Sequence, residues 1–259
     1  MEDDVLICEQ VGPIARLTLN RPAAMNALNM PMVAAFEAAL DAMAAREDVR
    51  VVLITGAGQA FCAGADLKDA LLSPPAGERD FLARASDLMA RVRGLAMPVI
   101  AALNGLTLAG GLELALCADV IIAADTARIG DAHANFAAFP GAGGSAVLPR
   151  RLPAQTALYL LLTGKSLPAS RLYDLGLISE IHPADKVADA ALELARHMAA
   201  KSPGVLRRMK AVARTTADKP LDDALLHEQD MLREHLRSED FQIGMRAFAE
   251  KQTPVFTGR

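Results

Sequence analysis

The chain has no tryptophan, and aromatic residues make up only 4% of its 259 positions. Stacking platforms for single-stranded nucleic acid need aromatic faces, so that function is excluded. Excess positive charge is also missing: the formal net charge is −4, the wrong sign for a general polyanion binder. A local basic pocket for one phosphorylated ligand stays compatible with it. The three cysteines, Cys8, Cys62 and Cys117, are odd in number and match no metal-ligand or redox spacing. Reduced thiols in a cytoplasmic compartment are the simplest reading. No apolar run reaches the roughly 18 residues that a membrane-crossing helix needs. The opening Met1-Glu2-Asp3-Asp4 is acidic where a secretory or transit segment is basic. A soluble cytoplasmic protein is expected, with neither membrane nor nucleic acid as partner.

Familiar catalytic signatures are missing too. Ser145 sits in Gly-Gly-Ser-Ala-Val, which is not the G-x-S-x-G elbow of a serine hydrolase. Gly141-Ala142-Gly143-Gly144 is not followed by the Lys-Ser/Thr of a phosphate loop. His182, His197, His227 and His235 have no second ligand at metal-binding spacing, so no metal site is expected.

What the chain has in quantity is apolar residues, 52% of the total, ample for a core and a subunit interface. Val5 to Leu19 alternates around Gly12-Pro13, as a hairpin does. Pro31–Arg46 carries apolar residues at helical spacing. Val51–Thr55, Pro98–Leu103 and Val120–Ala123 read as buried strands, and Gly110-Gly111 opens a helix over Leu112–Cys117. Strand, turn and helix in succession predict α/β layering, with no sequence repeat of fixed period. From Pro153 onward the spacing is helical, broken at Gly164, Gly176 and Pro203, and Asp222 to Glu250 is charged and amphipathic. Ser73 to Gly77 is the most loop-like stretch, a candidate flap. Leu71, Leu72, Phe81 and Leu82 beside it are candidates to shape a pocket.

Two turns of small residues carry the chemistry. Phe61 to Lys68 follows a buried strand, and its small side chains let backbone N–H groups approach a ligand. Ala109 to Glu113 starts a helix, where free N–H groups and the positive dipole end face a developing negative charge. Two such donors converging on one carbonyl make an oxyanion hole. The plainer alternative is that both turns are only tight connections.

These turns belong to a longer set. Leu19-Asn20-Arg21-Pro22 with Asn26-Ala27-Leu28, Phe61–Lys68, Gly110–Ala115, Phe139–Gly144, Leu162-Thr163-Gly164 and Leu175–Ile178 resemble, in order and separation, the enoyl-CoA hydratase/isomerase (crotonase) superfamily. The resemblance covers nearly the whole chain. It implies an α/β fold, a spiral of ββα units over residues 1–195, with a helical region over 196–259 for oligomerisation and closure of the coenzyme A site. It implies an acyl-CoA substrate with no cofactor beyond the substrate's own coenzyme A, and a homotrimer or dimer of trimers. By position, the N–H groups of Ala65 and Gly110 would form the oxyanion hole. Ala23, Ala24, Met25, Ala63, Asp66, Leu67 and Lys68 would line the coenzyme A path, with Phe248 and Lys251 of the tail closing the site of a neighbouring subunit. Glu113 matches the first of the two glutamates that hold water in the hydratases. A carboxylate in a first helical turn is stabilised when ionised; complementing the dipole alone is the other reading.

The chain departs from the hydratase pattern at one place. His133, within Asp131-Ala132-His133-Ala134, occupies the position of the second glutamate, and no Asp or Glu lies between Asp131 and Arg150 to replace it. His133 can be a general acid or base, can only position water, or can be structural. Asp131 is placed to orient it, although i, i+2 spacing alone does not establish contact. The expected activity is hydration of a 2-enoyl-CoA. The alternatives are isomerisation, thioester hydrolysis or C–C cleavage on the same fold, or acyl-CoA binding without catalysis.

Overall fold

The alternation near the N-terminus folds as a hairpin: β1 (Leu6–Val11) and β2 (Ile14–Leu19) pair antiparallel, with Gly12 in the turn at φ 60°. After a 3-10 turn at Pro22–Ala24 comes α1 (Met30–Ala44), whose Met32, Val33, Phe36, Ala39, Leu40 and Met43 form one buried face at helical spacing. The computed structural model describes residues 4–44, 46–70, 77 and 79–259. Apart from Gly77, the expected flap lies outside the described residues, as do Leu71 and Leu72.

Three ββα units follow. The first is β3 (Val51–Gly56), β4 (Ala60–Cys62), α2 (Leu67–Ala70) and α3 (Phe81–Gly94). The second is β5 (Val99–Leu103), β6 (Leu106–Leu108) and α4 (Gly110–Ala115). The third is β7 (Val120–Ala124), β8 (Arg128–Gly130), a 3-10 helix at His133–Phe136 and α5 (Gly144–Arg151). Beyond them lie α6 (Ala154–Thr163), β9 (Ser166–Pro168), α7 (Ala169–Asp174) and β10 (Glu180–His182). The chain finishes with α8 (Val187–Ala199), α9 (Pro203–Thr215), α10 (Leu221–His235) and α11 (Glu239–Glu250).

Each unit sends its first strand to one sheet and its second to another. The larger sheet runs β1-β2-β3-β5-β7-β10, parallel from β2 onward, and the smaller runs β4-β6-β8-β9. This is the ββα spiral that the resemblance implies. The central strand β5, Val-Ile-Ala-Ala-Leu, is buried at every residue, as a parallel strand covered on both faces must be. The smaller sheet, made of three-residue strands, has no counterpart in the sequence reading. Strands so short carry no periodicity to detect.

Successive units stack without room for side chains. A Cβ on Gly111 would lie 2.1 Å from the carbonyl oxygen of Cys62, so α4 can press against β4 only through glycine. Phe81 differs from expectation: at 3% exposure it belongs to the core with Ala85, Leu88, Met89 and Val92 of α3, while Leu82 points outward. Among the described residues no helix is long and apolar enough to cross a membrane.

Candidate active site

The smaller sheet builds the site. Strands β4, β6 and β8 run parallel and adjacent, and the chain leaving each carboxyl end delivers one part. Ligand sites beyond the carboxyl ends of parallel strands are the general rule in α/β sheets. Ala65 lies just after β4, Gly110 and Glu113 just after β6, Asp131 and His133 just after β8.

Among the described residues, neither Ala65 N–H nor Gly110 N–H donates to a protein acceptor. The two adjoin each other, since a Cβ on Gly110 would lie 3.5 Å from the nitrogen of Ala65. Gly64 makes the approach with φ 115°, and Ala109 sets up α4 at φ 49°, ψ −121°, a conformation costly for any residue but glycine. Two free donors side by side, one at a helix start, suit an oxygen that gains negative charge.

Glu113 stands in the first turn of α4, as expected, and is 4% exposed. One carboxylate oxygen, Oε1, accepts from the backbone N–H of Ala142 at 2.8 Å and of Gly144 at 2.9 Å. The Phe139–Gly144 turn thus gains a task that the sequence reading did not give it. Its small residues put two amides onto one oxygen and leave Oε2 for other partners.

Oε2 lies 4.0 Å from Nε2 of His133. The other ring nitrogen, Nδ1, is 3.0 Å from Oδ1 of Asp131, which also accepts from the His133 backbone N–H at 3.3 Å. The contact between Asp131 and His133 that spacing alone did not establish is therefore present. Its cause is local: Ala132 adopts the left-handed conformation at φ 60°, turning the two side chains onto one side. Burial lowers the pKa of His133, but the hydrogen bond and charge of Asp131, together with the charge of Glu113, outweigh it and leave the pKa above its ordinary 6.5.

The stretches assigned to the coenzyme A path are brought together. Ala63 N–H donates to Met25 carbonyl at 3.0 Å, and Leu28 bridges Ala65 through bonds of 2.8 Å to Gly64 and Asp66. Asn26, fully buried, donates to the carbonyls of Ala57 and Ala60, and its Oδ1 accepts from Arg21 N–H. Asp66 places its carboxylate on Arg21 at 3.1 Å and on the Lys68 N–H at 3.2 Å, so it secures the turn with its side chain. Ala24 and Ala63 are half-buried, while Ala23, Met25, Leu67 and Lys68 stand at the exposed rim. Phe248, 82% exposed, and Lys251 lie on α11 and at its end. Cys62 is fully buried and its thiol is pushed up to about 12, so it is neutral and no nucleophile near neutral pH.

A family model described as enoyl-CoA hydratase/isomerase matches residues 9–259. A 2,3-dehydroadipyl-CoA hydratase of Escherichia coli is 36% identical, over 98% of this chain and 99% of that one. A 1,2-epoxyphenylacetyl-CoA isomerase of the same organism is 35% identical, over 95% of each. A crystal structure of an enoyl-CoA hydratase from Bacillus anthracis superposes with a TM-score of 0.91 at 31% identity, over 98% of this chain and 100% of that one. With matches that run from end to end of both partners and a site on the carboxyl ends of the same spiral, the chain belongs to the enoyl-CoA hydratase/isomerase family.

Proposed function

We propose that the chain hydrates a 2-enoyl-CoA, with Glu113 as base and His133 as acid. The observation that carries this reading is the facing pair, Glu113 Oε2 and His133 Nε2 at 4.0 Å, both members of which can hydrogen-bond one water. The N–H groups of Ala65 and Gly110 hold the thioester oxygen. Glu113 takes a proton from the water as its oxygen bonds to Cβ. The double-bond electrons move toward the thioester, and the oxyanion hole holds the enolate. The imidazolium gives its Nε2 proton to Cα, and the proton on Glu113 returns to His133, so the net change is addition of one water.

The site residues fit the rest of such a substrate. The exposed rim of Ala23, Met25, Leu67 and Lys68 offers apolar contact and one cation to a long phosphorylated carrier. The exposed Phe248 and Lys251 are available to a neighbouring copy in a trimer or dimer of trimers. Isomerisation is the second reading, favoured by the same histidine: an Nε2 that takes and returns one proton can move a double bond.

Mass spectrometry of the protein with 2-enoyl-CoAs of varied length and branching separates these. Gain of one water, abolished by Glu113→Gln and weakened by His133→Ala, supports hydration. A product of unchanged mass and changed chromatographic mobility points to isomerisation instead. Because the acid form of His133 is the active one in hydration, kcat is expected to fall as pH rises through a value above 6.5. A pH–rate profile with no loss on the alkaline side near that value would remove His133 from the acid role.

A further inference from the structure

The sequence places Asp131 two residues before His133 without establishing contact, and its surroundings in the fold are unusual. It is 1% exposed, and Oδ2 has no hydrogen-bond partner. Oδ1 has only His133, through backbone and ring. A carboxylate removed from water needs a cation or several donors. Among the described residues the only cation in contact with Asp131 is the His133 ring in its protonated form. Gly144 closes the other side so tightly that a Cβ there would lie 2.7 Å from Oδ2.

We propose that Asp131 is a positioning residue: it holds a proton on Nδ1 of His133, aims Nε2 at Glu113, and keeps the ring as the imidazolium that donates to the substrate. An ionised carboxylate can only accept, so the nitrogen facing it must carry hydrogen. That leaves Nε2 as the one ring position that exchanges protons. Two carboxylates, Asp131 and Glu113, then flank one ring from opposite ends. Losing the ring proton would leave the buried Asp131 facing a neutral donor. The remaining elements near the ring do not compete. Helix α6, which packs on the 3-10 helix, carries Tyr159 as its only titratable residue, and α5 has its arginines, Arg150 and Arg151, in its last turn. The pKa of His133, held above its ordinary value with Asp131 and Glu113 as the raising influences, agrees with this arrangement.

This inference rests on the acid role given to His133, and its test separates the two. Asp131→Asn keeps the volume and removes the charge. The expected outcome is an unchanged KM and a kcat lower by about tenfold or more. The alkaline limb of the rate profile should move to lower pH, with the His133 imidazole signal in NMR titrating in step. A merely structural aspartate would change the melting temperature and leave both midpoints together where they were, which would overturn the proposal. NMR of the wild-type protein alone gives a second arm should the variant not fold. A proton on Nδ1 and a midpoint above 6.5 support the inference, and a ring protonated only at Nε2 overturns it. If the wild-type protein adds water to no enoyl-CoA, hydration fails as the reading, while the NMR result still decides whether Asp131 fixes His133.

Discussion

Glu113 and His133 face one another across the same gap but are held by different means. Glu113 sits on a helix start, and two backbone amides of another segment fix one of its oxygens. His133 sits on a four-residue 3-10 helix between two left-handed alanines, Ala132 and Ala137, and one buried side chain fixes its ring. Backbone donors survive any substitution that leaves the fold intact, whereas a side-chain anchor is lost with one change. The proposed base is therefore anchored by the fold and the proposed acid by a single residue. An acid position of this kind can change identity without disturbing the spiral around it, and it is here that the chain departs from the two-glutamate pattern.

The largest expected effect comes from the firmly held side. Glu113→Gln keeps both amide contacts to Oε1 possible and removes the proposed base, so kcat should fall by about 10²–10⁴-fold with little change in melting temperature. A comparable loss of stability would mean that the carboxylate charge holds the 139–144 turn, and the comparison would lose its footing. Gly110→Ala sharpens it next. The added methyl meets only ordinary contacts of 3.5–3.7 Å, yet it lies beside the Ala65 amide where the thioester oxygen is expected. A folded protein with kcat reduced by about 10²–10³-fold should result, as when one oxyanion donor is lost. Full activity would place the thioester oxygen elsewhere. Gly111→Ala is the contrasting control. Its methyl would collide with the Cys62 backbone, and overpacking of this kind costs about 1–3 kcal/mol, read as a lower melting temperature.

How far the sequence displayed this arrangement follows from element length. Strands β3, β5 and β7 were legible because a parallel strand buried on both faces leaves an unbroken apolar run. Helix α4 was legible from Gly110-Gly111, because the glycines that let it press on β4 also mark its start. Strands β4, β6 and β8 were not, although the proposed catalytic groups all follow them, because three residues complete no period. The fixed period was absent for a similar reason: α3 lengthens the first unit, so equivalent strands fall at uneven intervals along the chain. The resemblance located Glu113 and His133 by position. It did not reach the Ala142 and Gly144 amides or the Asp131 carboxylate, because such contacts arise only when separate units stack, or when a left-handed residue turns neighbouring side chains together.

The smallest expected effect concerns strain at the firmly held side. Ala109 precedes the Gly110 amide at φ 49°, ψ −121°, a region left almost wholly to glycine because a Cβ crowds the backbone there. Relief of that crowding by Ala109→Gly should raise stability by about 1 kcal/mol, offset in part by the greater freedom of glycine in the unfolded chain. For a chain of this size the melting temperature should rise by no more than about 2–4 °C. If the strain also aims the Gly110 amide, the relaxed backbone will let that donor wander, and kcat will drop as stability rises. If kcat is unchanged, the stacking of α4 on β4 through Gly111 aims the amide by itself. A fall in melting temperature would show instead that the Ala109 methyl is a packing group whose contacts outweigh its strain, and that this side of the site is held by side chains as well.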